Sequence, residues 1–185
     1  MSILWKKGSW DRPRIVVLLF VLLCLFVTGI RRQNFKGEET ETSIGWDLTN
    51  GPMENLELDE TTELTQVFYA QDGILDLIYI GINGHGQTGS MIVTVRDANG
   101  KEIAVRELPC NTMIDQGAQG IGIYTRVKKG ERYSYTVTFQ GIEDSYPVIQ
   151  TAKCLTKKEL GDFSVNGTKQ PFKIYGLFVY QSHYT

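Results

Sequence analysis

A run without a single charged residue extends over residues 15–30 (IVVLLFVLLCLFVTGI). As a helix it would be about 24 Å long, somewhat short of the ~30 Å hydrocarbon core of a bilayer. Arg14 and Arg31 flank the run, and arginine side chains can reach the headgroups from just inside the membrane. The run therefore predicts a transmembrane signal-anchor over residues 15–32 that holds the chain in membrane lipid.

A cleaved secretory signal peptide is the main alternative, since it also has a short apolar run after a basic N-terminus. Residues 27–32 (VTGIRR) lack the small-residue pattern of a cleavage site. Leu23 precedes Cys24, where a lipoprotein signal needs a small residue. A buried helix of a soluble domain is the third alternative, but no polar residue gives the run an amphipathic face. We favour the uncleaved anchor.

Charge is divided unevenly along the chain. Residues 1–36 hold seven of the 19 Lys and Arg residues but one of the 21 Asp and Glu residues. The basic segment suits anionic lipid headgroups, whereas the acidic remainder argues against nucleic acid as a partner. Four of the seven basic residues precede the apolar run. This slight bias predicts a cytoplasmic N-terminus, residues 1–14, and an extracytoplasmic domain on the cell membrane.

Period-two patterns begin after a polar linker at residues 33–43. In residues 133–139 (YSYTVTF) and 91–95 (MIVTV), apolar side chains stand at alternate positions, as in half-buried strands. An Asn99–Gly100 pair predicts a hairpin turn. We therefore predict that residues 44–185 form an all-β antiparallel sandwich of about eight or nine strands, preceded by one transmembrane helix.

Three segments carry a resemblance to a known family: residues 64–70 (LTQVFYA), 89–97 (GSMIVTVRD) with Gly100, and 129–133 (KGERY). Their order resembles the galactose-binding-domain-like jelly rolls of cell-surface proteins. A membrane segment followed by such a sandwich also resembles extracytoplasmic parts of bacterial envelope proteins, some attached to glycosyltransferases. The resemblance implies a jelly roll that binds sugars. Such domains often hold a structural calcium, but no residue here indicates one, so no cofactor is expected.

No motif predicts catalysis or a metal site. Residues 84–89 (GHGQTG) match the dinucleotide fingerprint, but strands on both sides leave no helix N-terminus for the pyrophosphate. The chain has two histidines, whereas a zinc site uses three or four ligands. We therefore predict a protein that is not an enzyme. The loop can still contact a ligand through His85 and Gln87.

Aromatic side chains are the remaining hint of a site, because sugar sites combine aromatic platforms with a few polar groups. The predicted ligand-binding residues are Trp46, His85, Gln87 and Tyr124. Further stacking candidates by strand face are Tyr69, Tyr79, Tyr146 and Tyr175. Cys110 and Cys154 can pair as a disulfide in an oxidising compartment. The alternative is two buried thiols.

These features together predict a membrane-anchored extracytoplasmic module that binds carbohydrate or another envelope component. The alternative is an accessory or scaffold subunit of a polytopic membrane protein such as an envelope glycosyltransferase.

Overall fold

Two antiparallel β-sheets make up most of the described structure. The structure is a computed structural model, and it describes Val17 and residues 19–24, 39–44, 53–84, 88–143, 145–153 and 160–181. The chain divides into two units, Met1–Gly37 and Glu38–His183. The predicted all-β class is confirmed for the second unit.

Seven strands form the first sheet, which runs β1 (Glu39–Ile44), β13 (Gly176–Gln181), β4 (Ile74–Asn83), β9 (Val148–Lys153) and β12 (Phe172–Ile174), with β2 (Met53–Glu57) on β9 and β7 (Gln116–Arg126) on β4. Six strands form the second sheet, in the order β11 (Thr168–Gln170), β10 (Leu160–Val165), β3 (Leu64–Tyr69), β8 (Arg132–Gln140), β5 (Ser90–Arg96) and β6 (Glu102–Pro109). The described residues thus contain more than the eight or nine strands predicted, because short strands such as β11 and β12 carry no clear periodicity.

The two sheets pack face to face through alternate side chains of their strands. The alternation predicted for β8 and β5 is confirmed, since the inward side chains of both strands are buried: Tyr133, Tyr135, Val137, Phe139, Met91, Val93 and Val95. At the centre, Phe68 of the second sheet stacks on Phe178 of the first with ring centroids 4.5 Å apart. Tyr135 meets the same Phe178 ring edge-on at 5.8 Å. Aromatic contacts therefore join the two layers.

Strand β4 is the most extensively paired strand of the first sheet. It pairs with β7 along one side, and with β13 and then β9 along the other. Ile78, Ile80 and Ile82 are buried in the core, whereas Leu77 and Tyr79 on the opposite face are only partly covered. The strand is thus covered fully on its inner face and in part on its outer face.

Strand β1 starts inside the segment predicted as a polar linker, residues 33–43. It pairs regularly with β13, from Glu39 opposite Gln181 to Ile44 opposite Gly176. A polar sequence is acceptable at the edge of a sheet, where one side of the strand meets solvent. The sandwich therefore begins several residues earlier than the change in periodicity indicates.

Apolar side chains are exposed in the described part of the first unit. Val17 and residues 19–24 are helical. The apolar residues here that are between 50% and 66% exposed are Val17, Leu19, Phe20, Val21, Leu22 and Leu23. Most of the predicted anchor, residues 15–32, lies outside the described residues. Within the described parts of the chain, no helix has the length and apolar character needed to span a bilayer.

The predicted hairpin turn joins β5 to β6. Gly100 donates its amide to the carbonyl of Asp97 and takes a φ of 80°, and the Asp97 carboxylate accepts the amides of Asn99 and Lys101. The loop that precedes β5 is more crowded. Gly89, with a φ of 74°, leaves no room for a side chain, because an added Cβ would lie 2.3 Å from the carbonyl oxygen of Gln140.

A comparison of Gly89→Ala with Gly100→Ala separates the cost of steric crowding from the cost of backbone strain. Both glycines have positive φ, but only Gly89 has atoms close to the position of an added Cβ. We expect Gly100→Ala to lower the free energy of unfolding by about 1 kcal/mol. Gly89→Ala should lower it by at least ~3 kcal/mol, because overpacking adds to the strain. Urea denaturation of both variants measures the difference. Equal losses would contradict the packing described around Gly89.

Candidate ligand-binding site

A β-bulge interrupts the outer face of the first sheet. The pairing of β4 with β7 shifts by one residue between Leu75 and Leu77. Asp76 is therefore opposed by two residues of β7, Ile123 and Tyr124. Bulges bend a strand and redirect a side chain, and they are frequent next to binding sites.

Tyr124 occupies the bulge in an unfavourable backbone conformation. Its φ is 52°, in the left-handed region that costs a residue with a Cβ about 1 kcal/mol or more. Its side chain is 69% exposed, so burial of the ring offsets little of that cost. A strained backbone that presents an exposed aromatic ring is a pattern of functional sites.

Arg106 of β6 holds the bulge in place from the second sheet. Its Nε donates to the carbonyl of Gly122 at 2.7 Å, and its Nη2 donates to the carbonyl of Ile123 at 2.6 Å. A third bond runs from Nη1 to the carbonyl of Val105 at 2.7 Å. These charge-assisted bonds join the edges of the two sheets immediately before Tyr124.

Asp76 lies beside the bulge on the same outer face. The pairing of β4 with β13 also shifts at this level, and the Asp76 Oδ2 accepts a 2.9 Å bond from the Nε2 of Gln181. Asp76 is only 8% exposed. Tyr124, Asp76 and Gln181 thus lie on three neighbouring strands, and Gln181, which pairs with Ile74, reaches Asp76 diagonally.

Two tyrosine rings lie close against glycines of β7 on this outer face. A Cβ added to Gly122 would lie 2.4 Å from the ring of Tyr124, and one added to Gly120 would lie 2.9 Å from the ring of Tyr79. Both contacts require the absence of a side chain on β7. We call the surface formed by Tyr124, Tyr79, Asp76 and Gln181 the tyrosine face.

A third ring continues the tyrosine face along β4 but is covered. The ring of Tyr175 lies against Gly81, at 2.6 Å from the position of an added Cβ. Gly81 pairs with Ala118, two residues along the ladder from the pair formed by Tyr79 and Gly120. Tyr175 is 7% exposed. The accessible part of the surface therefore ends at Tyr79.

The structure locates one of the four predicted ligand-binding residues. Tyr124 belongs to the tyrosine face, together with Tyr79 from the wider set of stacking candidates. Tyr175, from the same set, lies next to this face but is buried. Trp46, His85 and Gln87 lie outside the described residues, so their roles stay predictions.

Sequence analysis did not find Asp76, Gln181 or Arg106 as parts of this site. The bond between Asp76 and Gln181 joins residues 105 positions apart, and no local pattern connects them. The sequence did contain one indication of this site, namely Gly120 and Gly122. Glycines inside a strand often mark a position that another group approaches closely.

The two cysteines of the second unit were predicted to be a disulfide or two buried thiols. Cys110 is fully buried, and this burial raises the pKa of its thiol above the ordinary value. Cys154 lies outside the described residues, so the disulfide stays a prediction.

No protein-family model matches this sequence, and no curated protein matches it. Among the described residues, no group of three or more His, Cys, Asp or Glu side chains is placed to hold a metal ion. What the tyrosine face offers chemically is an exposed aromatic ring beside a carboxylate and an amide.

Tyr124→Asn tests whether the exposed ring is retained at a cost in stability. Asn accepts positive φ more readily than Tyr, so we expect the free energy of unfolding to stay constant or rise by up to ~1 kcal/mol. Urea denaturation gives this value, with Tyr146→Asn as the control at a tyrosine that is exposed but has ordinary φ. A loss of more than about 1 kcal/mol, specific to position 124, would show that the ring is structural.

Proposed function

We propose that this protein is a membrane-anchored, extracytoplasmic binding module that recognises carbohydrate of the cell envelope through the tyrosine face, and that it is not an enzyme. The observation that carries the proposal is Tyr124, an exposed aromatic ring held in a strained bulge. The flat apolar face of a sugar ring stacks on such a platform, which excludes water from both surfaces.

The polar groups next to Tyr124 support a sugar over a purely apolar ligand. The Asp76 carboxylate accepts hydrogen bonds, and the Gln181 amide can both donate and accept. Their mutual bond fixes both side chains before a ligand arrives. A pair of neighbouring hydroxyl groups on one sugar would match this combination of acceptor and donor.

The placement in the envelope rests on the N-terminal segment. Residues 15–32 combine an apolar run with flanking basic residues, and the described apolar side chains in it are exposed. A lipid environment would cover them. We further propose that the sandwich is a galactose-binding-like jelly roll, on the strength of the strand and turn patterns in residues 64–70, 89–97 and 129–133.

An accessory role beside a polytopic membrane protein, such as an envelope glycosyltransferase, is the second candidate. The exposed apolar side chains of Val17 and residues 19–23 favour it, because they could pack against helices of a partner as well as against lipid. Crosslinking in membranes with the anchor intact distinguishes the two roles. A stoichiometric polytopic partner supports the accessory role.

Tyr124→Ala should weaken binding of the glycan that the wild-type protein binds by roughly tenfold or more. The reason is that a central aromatic residue commonly contributes ~1.4 kcal/mol or above to the free energy of binding. The measurement is binding of the full-length protein in detergent micelles to an array of envelope polysaccharides, followed by titration of the strongest binder. Tyr146→Ala is the matched control, since Tyr146 is exposed but lies outside the tyrosine face. If Tyr124→Ala and Tyr146→Ala bind the glycan with equal affinity, the tyrosine face is not the binding surface.

Orientation is tested in intact cells. Protease added outside should digest the domain at residues 39–181, and replacing Lys6, Lys7, Arg12 and Arg14 by neutral residues should reduce this accessibility by weakening the cytoplasmic preference of the N-terminus. Complete protection of the wild-type domain would contradict an extracytoplasmic location.

A further inference from the structure

The pairing of the strands places the start of β1 at one end of the sandwich. Glu39 lies opposite Gln181, and Gln181 lies opposite Ile74 at the start of β4. On the other side of β4, Ile74 pairs with Arg126 at the end of β7. Strand β1 therefore starts at the end of the sandwich where β4 starts and β7 ends.

Three connections between strands lie at this end of the sandwich, namely residues 70–73, 97–101 and 127–131. The first and third are joined directly, because Gly130 donates its amide to the carbonyl of Ala70 at 2.7 Å. The second follows Arg96, which pairs with Ser134 near the start of β8. With the strand residues next to them, these connections form a surface that we call the basic end, residues 69–74, 96–102 and 126–132.

Lysine and arginine are concentrated at the basic end. It contains four acidic residues and six basic ones, which are Arg96, Lys101, Arg126, Lys128, Lys129 and Arg132. Three of the acidic residues are engaged locally. Glu102 forms an ion pair with Arg96, and Glu131 forms one with Lys128. Asp97 accepts backbone amides of its own turn. The acidic side chains thus neutralise only part of the positive charge.

Four cations of the basic end are exposed and form no ion pair within the described parts of the chain: Lys101, Arg126, Lys129 and Arg132. The domain as a whole is acidic, since residues 37–185 hold the other 12 Lys and Arg residues against the other 20 Asp and Glu residues. A cluster of exposed cations is therefore a local departure from the charge of the domain.

The opposite end of the sandwich has the reverse charge. Four connections lie there, namely residues 58–63, 84–89, 110–115 and 141–147. Gly84 donates its amide to the carbonyl of Asp115, and the Ile142 amide donates to the carboxylate of Glu60. The four sequences contain no Lys or Arg. Their described acidic residues are all exposed: Asp59, Glu60, Glu63, Asp115 and Glu143. We call these four connections the acidic end.

From this separation of charge we infer that the basic end docks on the anionic headgroups of the membrane, so that the acidic end points away from it. The inference rests on the proposed membrane anchor and adds a docking surface and an orientation to it. Anionic lipid attracts the basic end and repels the acidic end, and both effects favour the same orientation.

The length of the chain favours lipid over a soluble anion as the partner. The predicted anchor ends at Arg32, and β1 starts at Glu39. Seven residue steps extend over at most about 25 Å. A basic surface tethered so close to the membrane meets the headgroups at a high effective concentration. Each Lys or Arg near an anionic surface strengthens the attraction roughly fivefold.

Docking also places the candidate glycan site. Tyr124 lies two residues before Arg126, and Asp76 lies two residues after Ile74. The bulge that carries both residues is thus next to the basic end. In the docked orientation the tyrosine face lies close to the headgroups and reaches sugars held near the membrane surface.

The experiment measures energy transfer from the full-length protein in lipid vesicles to an acceptor dye on the headgroups. A fluorescent amino acid replaces Ala98 at the basic end or Ser145 at the acidic end, and both positions are exposed. The vesicles contain phosphatidylcholine alone or an equal mixture with phosphatidylglycerol. We expect more transfer from position 98 than from position 145 in the anionic vesicles. The difference should shrink in neutral vesicles and at 1 M salt, where charges are screened beyond about 3 Å.

Paired substitutions connect docking to the exposed cations. In the protein labelled at position 98, fluorescence lifetimes separate docked from undocked molecules. Lys129→Gln with Arg132→Gln should lower the ratio of docked to undocked molecules at least tenfold, since each cation contributes roughly fivefold. Lys101→Gln with Arg126→Gln is a second pair with the same expected loss.

The matched control changes the net charge equally at the acidic end. Asn111→Asp with Ser145→Asp, both at exposed positions, should keep the ratio of docked to undocked molecules within about twofold of wild type, because these residues lie far from the docked surface. Thermal unfolding of each variant identifies any that fail to fold.

The outcomes separate the inference from the proposed anchor. Equal transfer from positions 98 and 145 in anionic vesicles overturns the inference while the protein stays anchored. A loss of docking that is as large in the acidic-end control as in both cation pairs does the same. Binding of soluble dextran sulfate without docking on anionic vesicles identifies a polyanion as the partner and also overturns it. Release of the protein from the vesicles by alkaline carbonate overturns the proposed anchor and the inference together.

Discussion

The inward face of β4 sets the constraint on which the site depends. Leu75 and Ile78 are both buried in the core, although they are three residues apart and strict alternation would put them on opposite faces. Asp76 is the extra residue of β4 in its pairing with β13, and this bulge changes the phase of β4. At the same level the pairing of β4 with β7 also shifts, Asp76 bonds Gln181, and Tyr124 is exposed. Core packing and the candidate site thus meet at the same irregular part of the sheet.

Local sequence patterns were sufficient to predict the fold class. Strands β5 and β8 follow from clean alternation, and the β5–β6 turn follows from Asn99–Gly100, because each depends on residues close in sequence. The edge strand β1 was not predicted, since its polar sequence pairs with β13 through backbone bonds that any residue can make. The bulge was also missed, because it depends on the registers of β7 and β13 relative to β4.

The candidate site was predictable only in part, for the same reason. Tyr124 was identified because an aromatic residue in a strand is visible in the sequence. Arg106 was not, since its role is to bond carbonyls of a strand in the other sheet. The outcome is a rigid surface: the carbonyls before Tyr124 are fixed by a guanidinium, and the two accessible rings rest on glycines. Such a site is organised before binding, so little conformational entropy is lost when a ligand arrives.

The central claim is that the outer face of β4 and β7 is the binding surface. A crystal structure of the protein with the envelope glycan that it binds most strongly tests it most directly. The account predicts one sugar unit on the ring of Tyr124 and hydroxyl groups within hydrogen-bond distance of Asp76 and Gln181. A glycan bound elsewhere, for example at the loop around residues 84–89, with the tyrosine face empty, would contradict it.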